Sequence, residues 1–199
     1  MGDSLAAGFG ATDAKHTLGA RLARGVARHT KRSVTLRTVA VVGDETSMLT
    51  AQLDRLPAGY VPDLAVIVIG SNDIASRTST AESVAHLAGA VRRLRALGAE
   101  VVVGTCPDMG MAPAIPQPLR SMGGRASRRL AAAQAKAVTA AGGHPVATGH
   151  GLRTLFLAHP ERMFSDDRFH PSSLGYRRSA KAMLPAVLAA VDAAVPEFA

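Results

Sequence analysis

An α/β fold built on a parallel sheet is the architecture this sequence predicts, and two patterns predict it. Short apolar runs rich in β-branched residues alternate with longer amphipathic stretches, the order expected of strands joined by crossover helices. One run, Leu64-Ala65-Val66-Ile67-Val68-Ile69, is apolar at every position instead of every second one, as a central strand covered by helices on both faces must be. The chain has 199 residues, 47% of them hydrophobic, enough to bury a core without disulfides or metal. No internal repeat, linker or low-complexity tail interrupts it, so a single domain over residues 1–199 is the economical reading.

The elements follow in order. Thr17 can cap a helix over residues 17–29, in which Leu18, Leu22 and Val26 recur every fourth residue. Residues 34–42 read as a first strand and residues 64–69 as the buried second. A helix over 80–97 buries Val84, Leu87, Val91 and Leu94 and meets Gly98, a residue suited to end it. Strand 101–105 comes next, then a helix over 125–141 that stops at Gly142-Gly143, and a weaker strand at 145–148. The last helix spans 173–195 and presents Leu184, Val187, Leu188 and Val191, with Pro185 as a predicted kink.

Residues 107–124 resist regular structure, because Pro113, Pro116, Pro118, Gly110 and Gly123 crowd them. A long loop after a parallel strand lies on the face where α/β proteins bind ligands. Met109, Met111 and Met122 are therefore candidates for an adaptable substrate-binding wall, against the plain reading of a surface loop that seals the core edge.

Composition narrows the function. A net charge of +8 favours anionic contacts, but Arg21, Arg24, Arg28, Lys31 and Arg32 fall at helical spacing beside an apolar stripe, the pattern of a solvated face. Aromatic residues make up 4% and Trp is absent, so stacking platforms are scarce and no nucleic-acid role is expected. No apolar run approaches the roughly 20 residues of a membrane span. The first residues given lack the charged segment and apolar core of a signal peptide, so the expected location stays open, with a leader upstream of Met1 among the expectations. The histidines outside the motif described below lack metal-ligand spacing, so no metal is expected. Cys106 alone forms no internal disulfide and leaves the compartment open. Following a strand, it reads as a small buried hydrophobe more readily than as a nucleophile.

A serine near one end and an Asp-x-x-His near the other carry the chemistry. A serine hydroxyl is a weak nucleophile until an imidazole takes its proton and a carboxylate fixes the imidazole's tautomer, and Ser4, His170 and Asp167 supply these parts. Asp167 precedes His170 by three residues, which puts both side chains on one side of a turn; Asp166, four residues away, is the competing carboxylate.

Four blocks, Gly2-Asp3-Ser4-Leu5, Val41-Val42-Gly43-Asp44, Gly70-Ser71-Asn72-Asp73 and Asp167-Arg168-Phe169-His170-Pro171, stand in the order in which the SGNH, or GDSL-type, esterase and lipase superfamily carries them. The chain resembles that superfamily over most of its length, with no motif between about residues 107 and 160. The resemblance implies a three-layer flavodoxin-like fold and a triad of Ser4, Asp167 and His170. It also implies an oxyanion hole from Ser4, Gly43 and Asn72.

The physical reading agrees. In a sheet of order 2-1-3-4-5, the strand ends before Ser4, Gly43 and Asn72 are neighbours about 4.8 Å apart. Two backbone amides and the Asn72 side-chain amide can then meet the developing oxyanion, each donor contributing about 2.7 to 4 kcal/mol to lowering the barrier. No cofactor is required, and the expected partner is a small ester or acylated molecule.

The pattern departs from the superfamily at its start, where only Met1 and Gly2 precede Asp3 and the strand that should aim the nucleophile is missing. Backbone groups on the strands at 34 and 64 would lack the partner between them, so about six to ten apolar residues are expected upstream. The main expectation is a serine esterase. The competing ones are a non-catalytic relative that binds a carbohydrate or lipid in the same crevice, and an acyltransferase using the same acyl-enzyme.

Overall fold

The computed structural model describes residues 1–194. Strands β1 (Leu64–Val68), β2 (Glu100–Gly104) and β3 (His144–Val146) form a parallel sheet in the order β1-β2-β3, with Val66 opposite Val102 and Val102 opposite His144. The first residues of the chain lie along the free edge of β1. The Val68 amide donates to the Met1 carbonyl at 3.2 Å and the Asp3 amide to the Val68 carbonyl at 3.2 Å, which makes Gly2 a one-residue parallel bridge to Val68. Beyond Gly2 lies residue 41, whose amide donates to the Gly2 carbonyl at 3.1 Å. Read across, the positions follow the expected 2-1-3-4-5 order, with residues 1–3 alone at the second place.

The strand expected over residues 34–42 does not form. The segment carries no ladder, and Val34, Leu36 and Val42 are 39%, 49% and 55% exposed. A groove of about 460 Å³ separates residues 34–39 from β1, lined by Val34, Leu36, Leu64 and Val66. A β-branched run becomes a strand only when a neighbour accepts its hydrogen bonds. Among the described residues only Met1 to Asp3 lie between these two edges, bonded to Val66, Val68 and Val41 and too short to pair with residues 34–39.

The helices are α1 (Ser4–Ala7), α2 (Leu18–Thr30), α3 (Leu49–Asp54), α4 (Ser71–Ser76), α5 (Thr80–Ala96), α6 (Leu119–Ala140), α7 (Thr148–Ala158), α8 (Pro160–Met163) and α9 (Ser173–Ala194). Thr17 caps α2 by accepting from the Ala20 amide at 3.3 Å. Ser79 and Glu82 close a reciprocal capping box on α5, and Gly98, at φ 89°, ends that helix as expected. Val195, the last residue of the expected final helix, lies outside the described residues. Pro185 sits within α9.

Alternate strand residues feed two cores. Ala65, Ile67, Val101 and Val103 pack against Leu53 of α3, Leu87, Val91 and Leu94 of α5, and Val138 of α6. On the other face Val68 and Val102 meet Leu22 and Val26 of α2 and Met183 and Val187 of α9. Full burial of each such side chain contributes about 1.5–3 kcal/mol, and the opposed faces give the three layers. A third cluster of Met111, Leu152, Phe156, Met163 and Phe164 sits where the sequence carries no motif.

Residues 107–124 are more ordered than their composition suggests. Asp108 accepts from the Gly110 amide at 2.9 Å, and α6 begins at Leu119 instead of residue 125. Gly123 and Gly124 lie inside that helix because the loop presses on it: a Cβ on Gly124 would come within 2.8 Å of the Gly110 Cα. Close packing overrides the low helix propensity of glycine.

Candidate active site

Ser4 is the first residue of α1, set there by the chain's turn away from β1. Asp3 caps the helix, accepting from the Leu5 amide at 2.9 Å, and Gly8 closes it in the left-handed region at φ 87°. Gly2 makes the approach possible, since a Cβ there would lie 1.9 Å from the Val68 carbonyl oxygen. As the first helical residue, Ser4 has an amide with no intrahelical acceptor.

The carboxyl-terminal motif is a turn built around one carboxylate. Asp167 Oδ1 accepts from the Phe169 amide at 2.8 Å, the His170 amide at 2.9 Å and the Ser165 hydroxyl at 2.8 Å. Its other oxygen, Oδ2, lies 2.6 Å from His170 Nδ1, and His170 Nε2 lies 2.9 Å from Ser4 Oγ. Partial burial pushes the Asp167 carboxyl up, but the bonds from the imidazole, the two amides and the Ser165 hydroxyl outweigh it and hold the group well below the usual carboxylate range. It is therefore ionised wherever the imidazole can act as a base. The ring nitrogen is taken by Asp167, not by its neighbour Asp166. Phe169 turns inward against the third cluster.

The expected oxyanion donors are tied to the nucleophile through hydrogen bonds that the motifs did not reveal. The Gln52 side chain accepts from the Gly2 amide at 2.8 Å and donates to the Gly2 carbonyl at 2.7 Å and to Asp44 Oδ2 at 2.7 Å. Asn72 Nδ2 donates to the Asp44 carbonyl at 2.9 Å, which leaves its second N–H for another acceptor. Gly43 lies one residue from this anchor, at φ 91°, and a Cβ there would meet nothing within 4 Å. The space that a side chain at Gly43 would fill is thus open. Asp73 accepts from the Thr46 amide and hydroxyl and fixes the same turn from below.

Beside these groups lies an apolar cavity of about 80 Å³. Its walls include Leu5 next to Ser4, Ser71 next to Asn72, and Phe169 and Pro171 on either side of His170, with Met109, Met111 and Phe156 opposite. Met122, expected beside the other methionines, is 54% exposed on α6 and is not among the lining residues. The early start of α6 carries it to the solvent side.

The sequence matches the GDSL-like lipase/acylhydrolase family over residues 1–178. The chain belongs to that family. Among GDSL-like proteins it is 48% identical over 181 residues to the GDSL-like esterase Rv1075c of Mycobacterium tuberculosis, an alignment covering 90% of this chain and 58% of the relative. The chain thus spans little more than half the length of that curated relative. Solved structures share the fold. LAE5, an α/β hydrolase enzyme from the metagenome of Lake Arreo, superposes with a TM-score of 0.74 at 19% identity, covering 96% of this chain and 93% of that one. Axe2, an acetylxylan esterase from Geobacillus stearothermophilus, gives a TM-score of 0.71 at 18% identity and covers 94% and 91%. The lipase/acylhydrolase of Enterococcus faecalis gives 0.70 at 21% identity, with 94% and 93% covered.

Two buried groups of this GDSL-type chain respond to the same environment. Burial and the carboxylates of Asp3, Asp73 and Asp108 push the Cys106 thiol up, which keeps it protonated and unreactive. Burial also raises Asp3 from 3.8 to about 7; the Leu5 amide, and more weakly the Gly70 amide, oppose this and the charge of Asp73 adds to it, while among the described residues no group comes within hydrogen-bond geometry of Asp3 Oδ2. Folded Asp3 keeps its proton up to about pH 7, whereas the unfolded chain releases it from 3.8 upward. The unfolded state then binds fewer protons, so stability falls as pH rises through that window. Asp3→Asn mimics the protonated form. Urea unfolding at pH 5 and pH 8 is expected to show the wild type losing on the order of 2 kcal/mol more than Asp3→Asn between the two. Parallel losses would show that the carboxyl is already ionised in the folded protein at pH 5.

Proposed function

We propose that this chain is a serine hydrolase that cleaves carboxylic esters through Ser4, His170 and Asp167. One observation carries the reading: the unbroken relay of 2.6 Å from Asp167 to Nδ1 and 2.9 Å from Nε2 to Ser4 Oγ. His170 takes the Ser4 proton as Oγ attacks the ester carbonyl, and the negative oxygen is met by the amides of Ser4 and Gly43 and the free N–H of Asn72. The imidazolium then gives its proton to the departing alcohol, and water hydrolyses the acyl-enzyme by the same steps. The names of the curated relative, an esterase, and of Axe2, an acetylxylan esterase, support an ester bond as the target.

The cavity next to Ser4 suits the acyl group. Its lining is apolar, and Met109 and Met111 lend it the adaptable surface of thioether side chains. At about 10–15 Å³ for each water-sized unit, its 80 Å³ holds roughly five to eight such units, room for a short acyl chain and not for a long one. Purified protein assayed on p-nitrophenyl esters from two to twelve carbons is expected to reach its highest kcat/KM near the middle of the short range and to fall steeply by twelve. Absence of turnover at every length would contradict the hydrolase reading.

A further inference from the structure

Phe9 is 50% exposed, although its ring centroid lies 4.6 Å from that of His170, at an interplanar angle of 59°. Its backbone is fixed from three sides. The Phe9 amide donates to the Ser4 carbonyl at 2.9 Å, and the buried Tyr176 hydroxyl donates to the Phe9 carbonyl at 2.7 Å. Gly10, at φ 89°, presses so closely on the turn of His170 that a Cβ would meet the Pro171 oxygen at 2.8 Å and the His170 Cβ at 3.1 Å. The ring is therefore held in register with both the nucleophile and the base, while half of its surface remains in water.

Phe169 contacts the same imidazole from another direction, with centroids 5.0 Å apart and rings at 77°, and lines the apolar cavity. Phe9 is not among the cavity's lining residues. The imidazole thus has one aromatic neighbour on the cavity side and another on the solvent side.

The tetrahedral intermediate carries three groups besides Ser4 Oγ: the oxyanion, the acyl carbon and the leaving oxygen. Under the hydrolase reading, on which this inference rests, the oxyanion faces Asn72 and Gly43 and the acyl chain enters the cavity. The leaving oxygen must lie within hydrogen-bond reach of Nε2, because that nitrogen donates the proton as the carbon–oxygen bond breaks. We propose that the alcohol portion of the ester lies on the exposed ring of Phe9, which makes Phe9 a specificity-determining residue for esters of aryl-methyl and other bulky apolar alcohols. An apolar ring at this place offers contact area to such an alcohol and almost none to a two-carbon one.

The test compares benzyl acetate with ethyl acetate, two esters of one acid whose alkoxides both need the imidazolium proton. In the wild type kcat/KM is expected to favour the benzyl ester, and Phe9→Ala is expected to lower that preference about tenfold. Phe9→Tyr, which keeps the ring, is expected to restore it. Equal losses on both esters in Phe9→Ala would mean that the ring only props His170, and an unchanged preference would mean that the alcohol lies elsewhere; either result overturns the proposal while the hydrolase reading stands. A wild-type protein that turns over p-nitrophenyl esters but neither of these two overturns the proposal alone; one that turns over no ester of any length removes the hydrolase reading as well.

Discussion

Ser4→Ala is expected to lower kcat for p-nitrophenyl ester hydrolysis on the order of 10⁶-fold, the loss typical of deleting a nucleophile that acts as a unit with its base. The substitution removes one oxygen whose hydrogen-bond partner is His170 Nε2. Ser4 lies at the start of α1, where the cap is Asp3 and the closing residue is Gly8, so the helix does not depend on the hydroxyl. Its loss costs about 1 kcal/mol of stability. Turnover should therefore vanish from a protein whose unfolding midpoint is nearly that of the wild type. Retained turnover in a folded Ser4→Ala protein would assign the chemistry to another group.

Asp167→Asn is expected to cost about 10⁴-fold in kcat, for a reason of tautomer instead of shape. The amide oxygen of asparagine can replace Oδ1 and still accept from the Phe169 and His170 amides and the Ser165 hydroxyl, so the turn survives. The amide nitrogen then occupies the place of Oδ2 and donates toward Nδ1. The imidazole responds by carrying its proton on Nε2, where it faces Ser4 and cannot act as a base. An Asp167→Asn enzyme with wild-type kcat would show that the carboxylate is a structural cap for the turn and nothing more. Its counterpart Asp166→Asn should leave kcat within a few-fold, because the ring bonds to Asp167.

Much of this arrangement was legible because it rests on local rules. The continuous apolar run at 64–69 needed cover on both faces, and it has it. Asp167 and His170 meet through a three-residue turn, the spacing the sequence favoured over that of the competing Asp166. The strand at 34–42 was misread because β propensity describes a residue's fit to a pleated neighbour, and the neighbour is a property of the whole sheet. Gln52 gave no sign in the sequence. It is a glutamine on a short helix, and its role as a side-chain substitute for a strand partner at Gly2 appears only when residues 2, 44 and 52 come together. Ser165 is similar, a serine two residues before Asp167 whose hydroxyl joins the turn. Met122 failed for a third reason: two glycines and three prolines suggested a loop, while the fit of Gly124 against Gly110 extended α6 through it. Non-local packing decided each of these.

The central claim is that Ser4 is an activated nucleophile. Incubating the wild-type protein with a fluorophosphonate and mapping the adduct by peptide mass spectrometry tests it most directly. The expected result is one phosphonyl group per chain on the peptide containing Ser4, with none on the Ser4→Ala protein. A folded wild-type protein that stays unlabelled, or that is labelled at another serine, would contradict the account.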